Sequence, residues 1–513
     1  MNGCTTRQAP AIRTNAAPRL QPPVRPLVRV LSRSGPAVVP AGAAERVPAQ
    51  HVSLVAGAPL MRPGLGTVVD MDLQALLDES AERHGVPGAA VAVGAGGELI
   101  EAATGVVNRD TGVATTADSV FQIGSVTKVW TASLVMQLVA EGAVELDAPV
   151  RRYLPAFGVL DAAASESVTV RQLLSHTGGF EGDLFEDTGR GDDALGRLIA
   201  WMHTNAGQVH PPGALHSYCN AGFCVLGAMV AELRGGTWET VLRERLIEPL
   251  GVTHMALFAE EAILFRAAAG HVGEKRTVFP RWQMARSNAP AGSTPCAAPR
   301  ELVKFGRMFL ADGLAADGTR LLPAGTFTAM LQPQVTLPAM GGRSATGWGL
   351  GFMLFEWDGV PVAGHDGGTP GQSTCWRIVP DRDVVVAINV NGGDAGPLID
   401  EVLAAVFAET AGIRVPARVM PPRTPAEASP AHAGTFEGPI ERYEVKIAEG
   451  GLQVTVIPKG FAVEFGEQPK TVRVLAVGDN RYVAAEPDGG VHPVIAFLEE
   501  GRYLYTGRAI KRV

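Results

Sequence analysis

Hydrophobic periodicity begins near Asp72, where Leu73, Leu76 and Leu77 predict a helix running toward Gly85. The apolar runs Ala89–Val93 and Leu99–Ala103 flank Gly94-Ala95-Gly96-Gly97 and predict a β-hairpin. From residue 120 to about residue 330 the pattern is mostly helical. Within it, Thr169-Val170-Arg171-Gln172 has capping-box spacing and opens a short helix that Gly178-Gly179 ends. Strand patterns return at Gly347–Glu356, Val360–Ala363, Thr374–Val379 and Val384–Val390, and a helix is predicted over Leu398–Thr410. Strands at both ends with helices between them predict an α+β unit, an antiparallel sheet flanked by helices, whose sheet joins early and late strands.

That unit spans residues 67–412. Pro416, Pro421, Pro422, Pro425 and Pro430 mark a stiff linker over 413–431. Beyond it, Tyr443–Ile447, Leu452–Val456 and Val472–Val477 recur at short intervals, so residues 432–513 predict a small all-β barrel or sandwich. The first 66 residues differ from the rest: ten Pro, eight Arg, no Lys and one acid, Glu45. Their prolines forbid the amphipathic helix of a transit peptide, and no compact apolar core of a signal peptide follows the first arginines. The expectation is a disordered tail or a start codon placed too early, with Met61 and Met71 close to the first periodic segment.

Composition narrows the function. The chain has 513 residues, 46% hydrophobic and 19% charged, which suits two or three globular domains. Its net charge of -8 becomes -15 without the first 66 residues, so no nucleic-acid footprint is present. No apolar run reaches the roughly 18 residues of a membrane span, and with no recognisable signal peptide the cytoplasm is the expected compartment. The five cysteines lack zinc-type pairs and suggest neither a disulfide framework nor a metal site.

Candidate chemistry lies first in Ser125-Val126-Thr127-Lys128, which leads into a helix that is apolar almost all round. Ser125 and Lys128 share one face of it. The chain uses 37 Arg and only 7 Lys, so lysine in this buried setting is informative. A desolvated lysine can lose its proton, whereas arginine cannot. A neutral amine beside a serine hydroxyl can then accept its proton and leave a nucleophile. The alternative is a capping serine with a solvated lysine, which the apolar surroundings weaken.

Tyr218-Cys219-Asn220 is the one Y-x-N of the chain. Tyr218 suits a proton shuttle and Asn220 a substrate contact, against a core aromatic and a helix N-cap as the structural alternatives. His365-Asp366-Gly367, with Gly364 and Gly368 on either side, places a histidine where glycines let a substrate approach the backbone closely. A surface histidine in a glycine-rich loop is the plainer reading. No G-x-S-x-G elbow and no H-E-x-x-H motif is present, which argues against an α/β-hydrolase and a zincin.

These motifs, in this order, resemble the serine β-lactamase/penicillin-binding-protein superfamily, in its class C-like esterase, D-peptidase and transacylase branch. The stretch Val168–Gly179, with Leu173-Leu174-Ser175-His176-Thr177-Gly178, adds to the likeness, which covers residues 72–412. The resemblance implies that Ser125 is the acylated nucleophile, Lys128 its proton acceptor and Tyr218 the relay. Asn220, His365 and Gly367 would contact substrate, with His365 at the site edge, and the N–H groups of Ser125 and Gly368 would form the oxyanion hole. It implies no cofactor and a small-molecule or peptide acyl substrate. Where many relatives of this shape carry Lys-Thr-Gly, this chain has His365-Asp366-Gly367, which favours esters, amides or D-amino-acid peptides over β-lactams. The last domain resembles the lipocalin-like domain of some peptidases and peptide-cyclising thioesterases of this superfamily, which implies that it shapes the cleft or restricts substrates, and its residues show no chemistry of their own. A biosynthetic transacylase or peptide-cyclising thioesterase is the nearest alternative, and a non-catalytic binding or sensor module the alternative from another class.

Overall fold

The computed structural model describes residues 71–464 and 466–513, so the tail expected over residues 1–66 lies outside the described residues. Asp72 caps helix α1 (Leu73–Arg83), its carboxylate accepting the Ala75 N–H at 2.9 Å. The predicted hairpin follows as β1 (Gly88–Ala95) and β2 (Glu98–Asn108), with a short β3 (Val113–Ala114) behind it. Next come helices α2 (Thr127–Ala140), α3 (Asn220–Arg234) and α4 (Pro299–Leu310). The late strands are β4 (Val335–Thr336), β5 (Gly347–Trp348), β6 (Met353–Trp357), β7 (Val360–Thr369), β8 (Gln372–Val379) and β9 (Val384–Val390). Helix α5 (Ala395–Ala411) ends the unit.

All these strands form one nine-stranded antiparallel sheet in the order β3-β2-β1-β9-β8-β7-β6-β5-β4. Early and late strands meet at its centre, with Val91 opposite Ile388 and Ala92 opposite Ala387. Because strand side chains alternate, one face of β9 (Val386, Ile388, Val390) packs under α1 and α5 while Val385 and Ala387 face α4 and the helical region. Both faces are therefore covered, and β9 is buried along its whole length.

Two elements differ from the pattern-based expectation. Gly347–Glu356 is not one strand: Gly351, at φ 85°, turns the chain so that its N–H donates to Leu174 at 3.0 Å. Strand β7 does not stop at Ala363; it pairs with β8 through His365 opposite Trp376 and on to Thr369.

The C-terminal residues close into an eight-stranded barrel. Its strands are β10 (Gly434–Glu437), β11 (Glu441–Ala448), β12 (Gly451–Pro458), β13 (Lys470–Gly478), β14 (Arg481–Ala484), β15 (Val494–Leu498), β16 (Tyr503–Tyr505) and β17 (Ala509–Arg512). Phe436 opposite Arg512 joins first strand to last, which leaves no open edge. Phe436, Leu452, Phe497 and Leu504 fill the interior. Among the described residues no helix is long and apolar enough to cross a membrane.

Candidate active site

Ser125 lies in a single 3₁₀ turn, Gly124–Val126, that runs straight into α2. The turn exists because three glycines let backbones meet. A Cβ on Gly124 would stand 2.5 Å from the Gly368 nitrogen, one on Gly367 would stand 2.0 Å from the Ile123 oxygen, and one on Gly292 would stand 2.0 Å from the Gly124 oxygen. The turn before α2 is thereby wedged against the end of β7, which brings the backbone of Gly124, the residue before Ser125, against that of Gly368.

One turn along, Lys128 is fully buried, and every residue of α2 from Thr127 to Leu138 is buried. Its Nζ lies 2.9 Å from Ser125 Oγ and 2.6 Å from the Ala291 carbonyl oxygen. As an ammonium it donates to both oxygens; as a neutral amine it donates to Ala291 and accepts the Ser125 hydroxyl. Among the described residues no carboxylate forms an ion pair with it. Burial lowers its pKa from 10.5 to about 7, so the amine is half neutral near physiological pH.

Tyr218 approaches from the segment before α3, its ring centroid 4.9 Å from Lys128 Nζ. Burial raises the phenol pKa while Ser125, lying close, pulls it the other way. The phenol hydroxyl makes no hydrogen bond of good geometry. Asn220 does not cap α3. That role falls to Cys219, whose Sγ accepts the Gly222 N–H at 3.2 Å, while Asn220 Nδ2 donates to buried Asp183 at 2.7 Å. Cys219, Cys224, Cys296 and Cys375 are free and buried.

His365 is 2% exposed, so it is not the surface histidine of the plainer reading, and it lines the same cavity as Ser125. Its Nδ1–H donates to its neighbour's carbonyl, Asp366 O, at 2.6 Å, which leaves Nε2 as a bare acceptor. Burial first, and Lys128 second, push its pKa down to about 3; the ring is neutral and provides no fixed cation.

Four contributors had no assigned part in the sequence reading. His176, at φ 57°, accepts the Cys219 N–H on Nδ1 at 3.0 Å and lies 4.3 Å, ring to ring, from Tyr218. Asp183 accepts from Asn220 and from Arg508 Nη2 at 3.0 Å, and Arg508 Nε also reaches its other oxygen. Arg508 and Tyr505 come from the barrel and line the cleft, in keeping with a domain that shapes it. The Arg508 guanidinium stands 5.0 Å from the Tyr218 ring centroid, and the Tyr505 hydroxyl bonds His216 Nδ1 at 2.9 Å. Backbone contacts fasten the same hairpin: Tyr218 N–H donates to Gly507 at 3.0 Å and Ala509 N–H to Ser217 Oγ at 3.1 Å. Position 508 carried no signal in the sequence, because an arginine after a turn glycine looks like any solvated hairpin.

Ser125, Tyr218, Asn220, His365, Gly367, Gly368 and Arg508 all line one cavity of about 750 Å³. Residues 73–408 match the Beta-lactamase family model. The chain belongs to the Beta-lactamase family. It is 45% identical over 369 residues to "Penicillin-binding protein 4" of Amycolatopsis lactamdurans, an alignment that covers 71% of this chain and 96% of that one. It is 32% identical to "Esterase EstB" of Burkholderia gladioli over 40% of this chain and 56% of that one. To the "D-aminopeptidase" of Brucella anthropi it is 26% identical, over 63% of this chain and 59% of that one. Among solved structures, SurE, also solved with D-Leu, superposes with a TM-score of 0.68 at 31% identity, covering 86% of this chain and 98% of that one. The fold is thus β-lactamase/transpeptidase-like with a C-terminal barrel, and the protein is a serine hydrolase of this family.

Proposed function

We propose that the protein forms an acyl-enzyme on Ser125 and cleaves ester or amide bonds, D-amino-acid peptides among them. The observation that carries this reading is the 2.9 Å contact of Ser125 Oγ with an amine that burial, with no carboxylate paired to it, holds near a pKa of 7. Ser125 Oγ adds to the scissile carbonyl carbon while its proton passes to Lys128 Nζ. The N–H groups of Ser125 and Gly368 receive the negative charge that develops on the carbonyl oxygen. Tyr218, kept protonated by burial, relays the proton from Lys128 to the leaving oxygen or nitrogen as its bond to carbon breaks. Water then repeats the sequence on the Ser125 ester, releases the acid and restores the hydroxyl.

Neutral His365 offers no charge to a β-lactam carboxylate, which supports open-chain esters and amides. A relative named D-aminopeptidase and the D-Leu-bound structure of SurE support D-residues in the substrate. The barrel hairpin fastened to Ser217 and Tyr218 adds a wall to the cleft and favours a second reading, transfer of the acyl group to an amine held against it.

Wild type and Ser125→Ala are to be incubated with a fluorophosphonate, a penicillin and a p-nitrophenyl ester, with intact mass and turnover recorded. A Ser125-dependent adduct with ester turnover is expected. An adduct without turnover points to the amine acceptor, and no adduct with any reagent overturns the reading.

A further inference from the structure

The cavity that holds Ser125 continues past His365. Pairing between β6 and β7 ends at Met353 opposite Gly364, so among the described residues no strand pairs with Asp366–Thr369 on that side, and Asp366, Gly367 and Gly368 line the cavity. Leu337, Met340, Trp348 and Met353 give it an apolar wall. Three guanidiniums, Arg343, Arg377 and Arg418, line the same cavity, with Arg377 also over the Phe355 ring at 4.4 Å and donating to the Trp376 carbonyl at 3.0 Å.

Their charges do not balance. Arg377 Nη1 pairs with Asp366 at 2.8 Å, Arg418 Nη2 donates to Asp400 at 2.9 Å, and Arg343 shares that same Asp400. Three cations meet two carboxylates, and the next acid, Asp394, is taken by Arg276 at 3.2 Å. Arg377 is 2% exposed and its Nε has no hydrogen-bond partner. Burial, with Arg377 and Arg418 adding to it, lowers the Arg343 pKa to about 10, although Asp366 works against the shift. The N-terminus of α5 opens on the same space. Asp394 does not cap it with its side chain, Gly396 lines the cavity, and a Cβ there would lie 3.7 Å from Arg418 Nη2. A long helix adds partial positive charge and unpaired N–H groups at that end.

We propose that Arg343, Arg377, Arg418 and the start of α5 form an anion subsite, which binds a carboxylate or phosphate joined to the scissile carbonyl through an apolar stretch. The inference rests on the acyl-enzyme reading, since it names a feature of the substrate of that same cleft. A network serving stability alone would need no surplus cation and no opening into the Ser125 cavity.

The test uses the full chain and aryl acyl esters of graded length that end in a carboxylate, a phosphate or a methyl ester, in one series on the acyl side and in another on the leaving side. At one length an anionic ester is expected to exceed its methyl ester about tenfold in kcat/KM. The two anions compared at that length tell carboxylate from phosphate. Arg418→Gln brings the ratio close to one, and Arg418→Lys keeps part of it because the charge remains. Ratios near one at every length in both series, or a ratio unmoved by Arg418→Gln, overturn the subsite. Calorimetric titration of Ser125→Ala with dicarboxylic acids and alkyl phosphates supplies a readout free of turnover. Binding that Arg418→Gln removes supports the subsite even if wild type cleaves no ester, a result that would sink only the acyl-enzyme reading. No binding of either probe overturns the subsite while esterase activity stands.

Discussion

Arg508, on the last hairpin of the barrel, holds the buried carboxylate of Asp183 in the β-lactamase-like unit, and the same carboxylate accepts from Asn220. The barrel is thus part of the wall of the cleft. Removing the guanidinium leaves Asp183 buried without its cation, a loss that typically costs about 3–5 kcal/mol. Arg508→Ala is expected to lower the melting temperature and to reduce kcat/KM for a p-nitrophenyl ester by at least about tenfold. Asp183→Asn together with Arg508→Ala is expected to recover part of the stability, because it removes the unpaired charge. Additive losses in the double variant would show that the pair does not couple.

The two glycines at the end of β7 have opposite tolerances. Gly367→Ala puts a methyl 2.0 Å from the Ile123 oxygen, whereas nothing lies within 4 Å of a Cβ at Gly368. Gly367→Ala is expected to push β7 off the Ser125 turn, with a fall in thermal stability and esterase activity reduced by about 100-fold, the scale of a lost oxyanion donor. Gly368→Ala is expected to fold like wild type. Thermal melts of both variants check this, and equal melting temperatures would refute the wedge.

His176 positions the Tyr218 segment. It occupies a left-handed conformation at φ 57° and accepts the Cys219 N–H. His176→Ala loses that acceptor and buries an unsatisfied N–H, at a cost of about 1–3 kcal/mol. His176→Asn tolerates the conformation and can still accept, so it is expected to keep most of the stability and activity. Chemical denaturation separates the two variants; equal losses would mean that ring packing dominates and not the hydrogen bond.

Much of this was legible in the chain because it is local. Ser125 and Lys128 are three residues apart on one buried helix, and the Thr169 capping box forms with both of its hydrogen bonds. The meeting of early and late strands followed from their apolar runs. What stayed hidden depends on distant partners. Arg508 and Asp183 are separated by 325 positions, and one arginine among 37 does not announce an ion pair. Cys219 caps the helix with its thiol in place of the Asn220 cap that was the structural alternative, because Asp183, equally invisible in the pattern, holds the amide. The glycines around His365 also read as a loop with a surface histidine, yet pairing of β7 with β8 buries the ring.

The central claim is that Lys128 is the base for Ser125. Below its pKa Lys128 is an ammonium and cannot take the hydroxyl proton, so reactivity must rise with pH as the amine becomes neutral. The most direct measurement is the second-order rate of fluorophosphonate labelling of Ser125, followed by intact mass from acid to mildly alkaline pH. The account predicts a single rise with its midpoint at about 7, absent in Lys128→Arg. A rate that is flat across neutrality, or that climbs only toward the ordinary lysine value of 10.5, would contradict it.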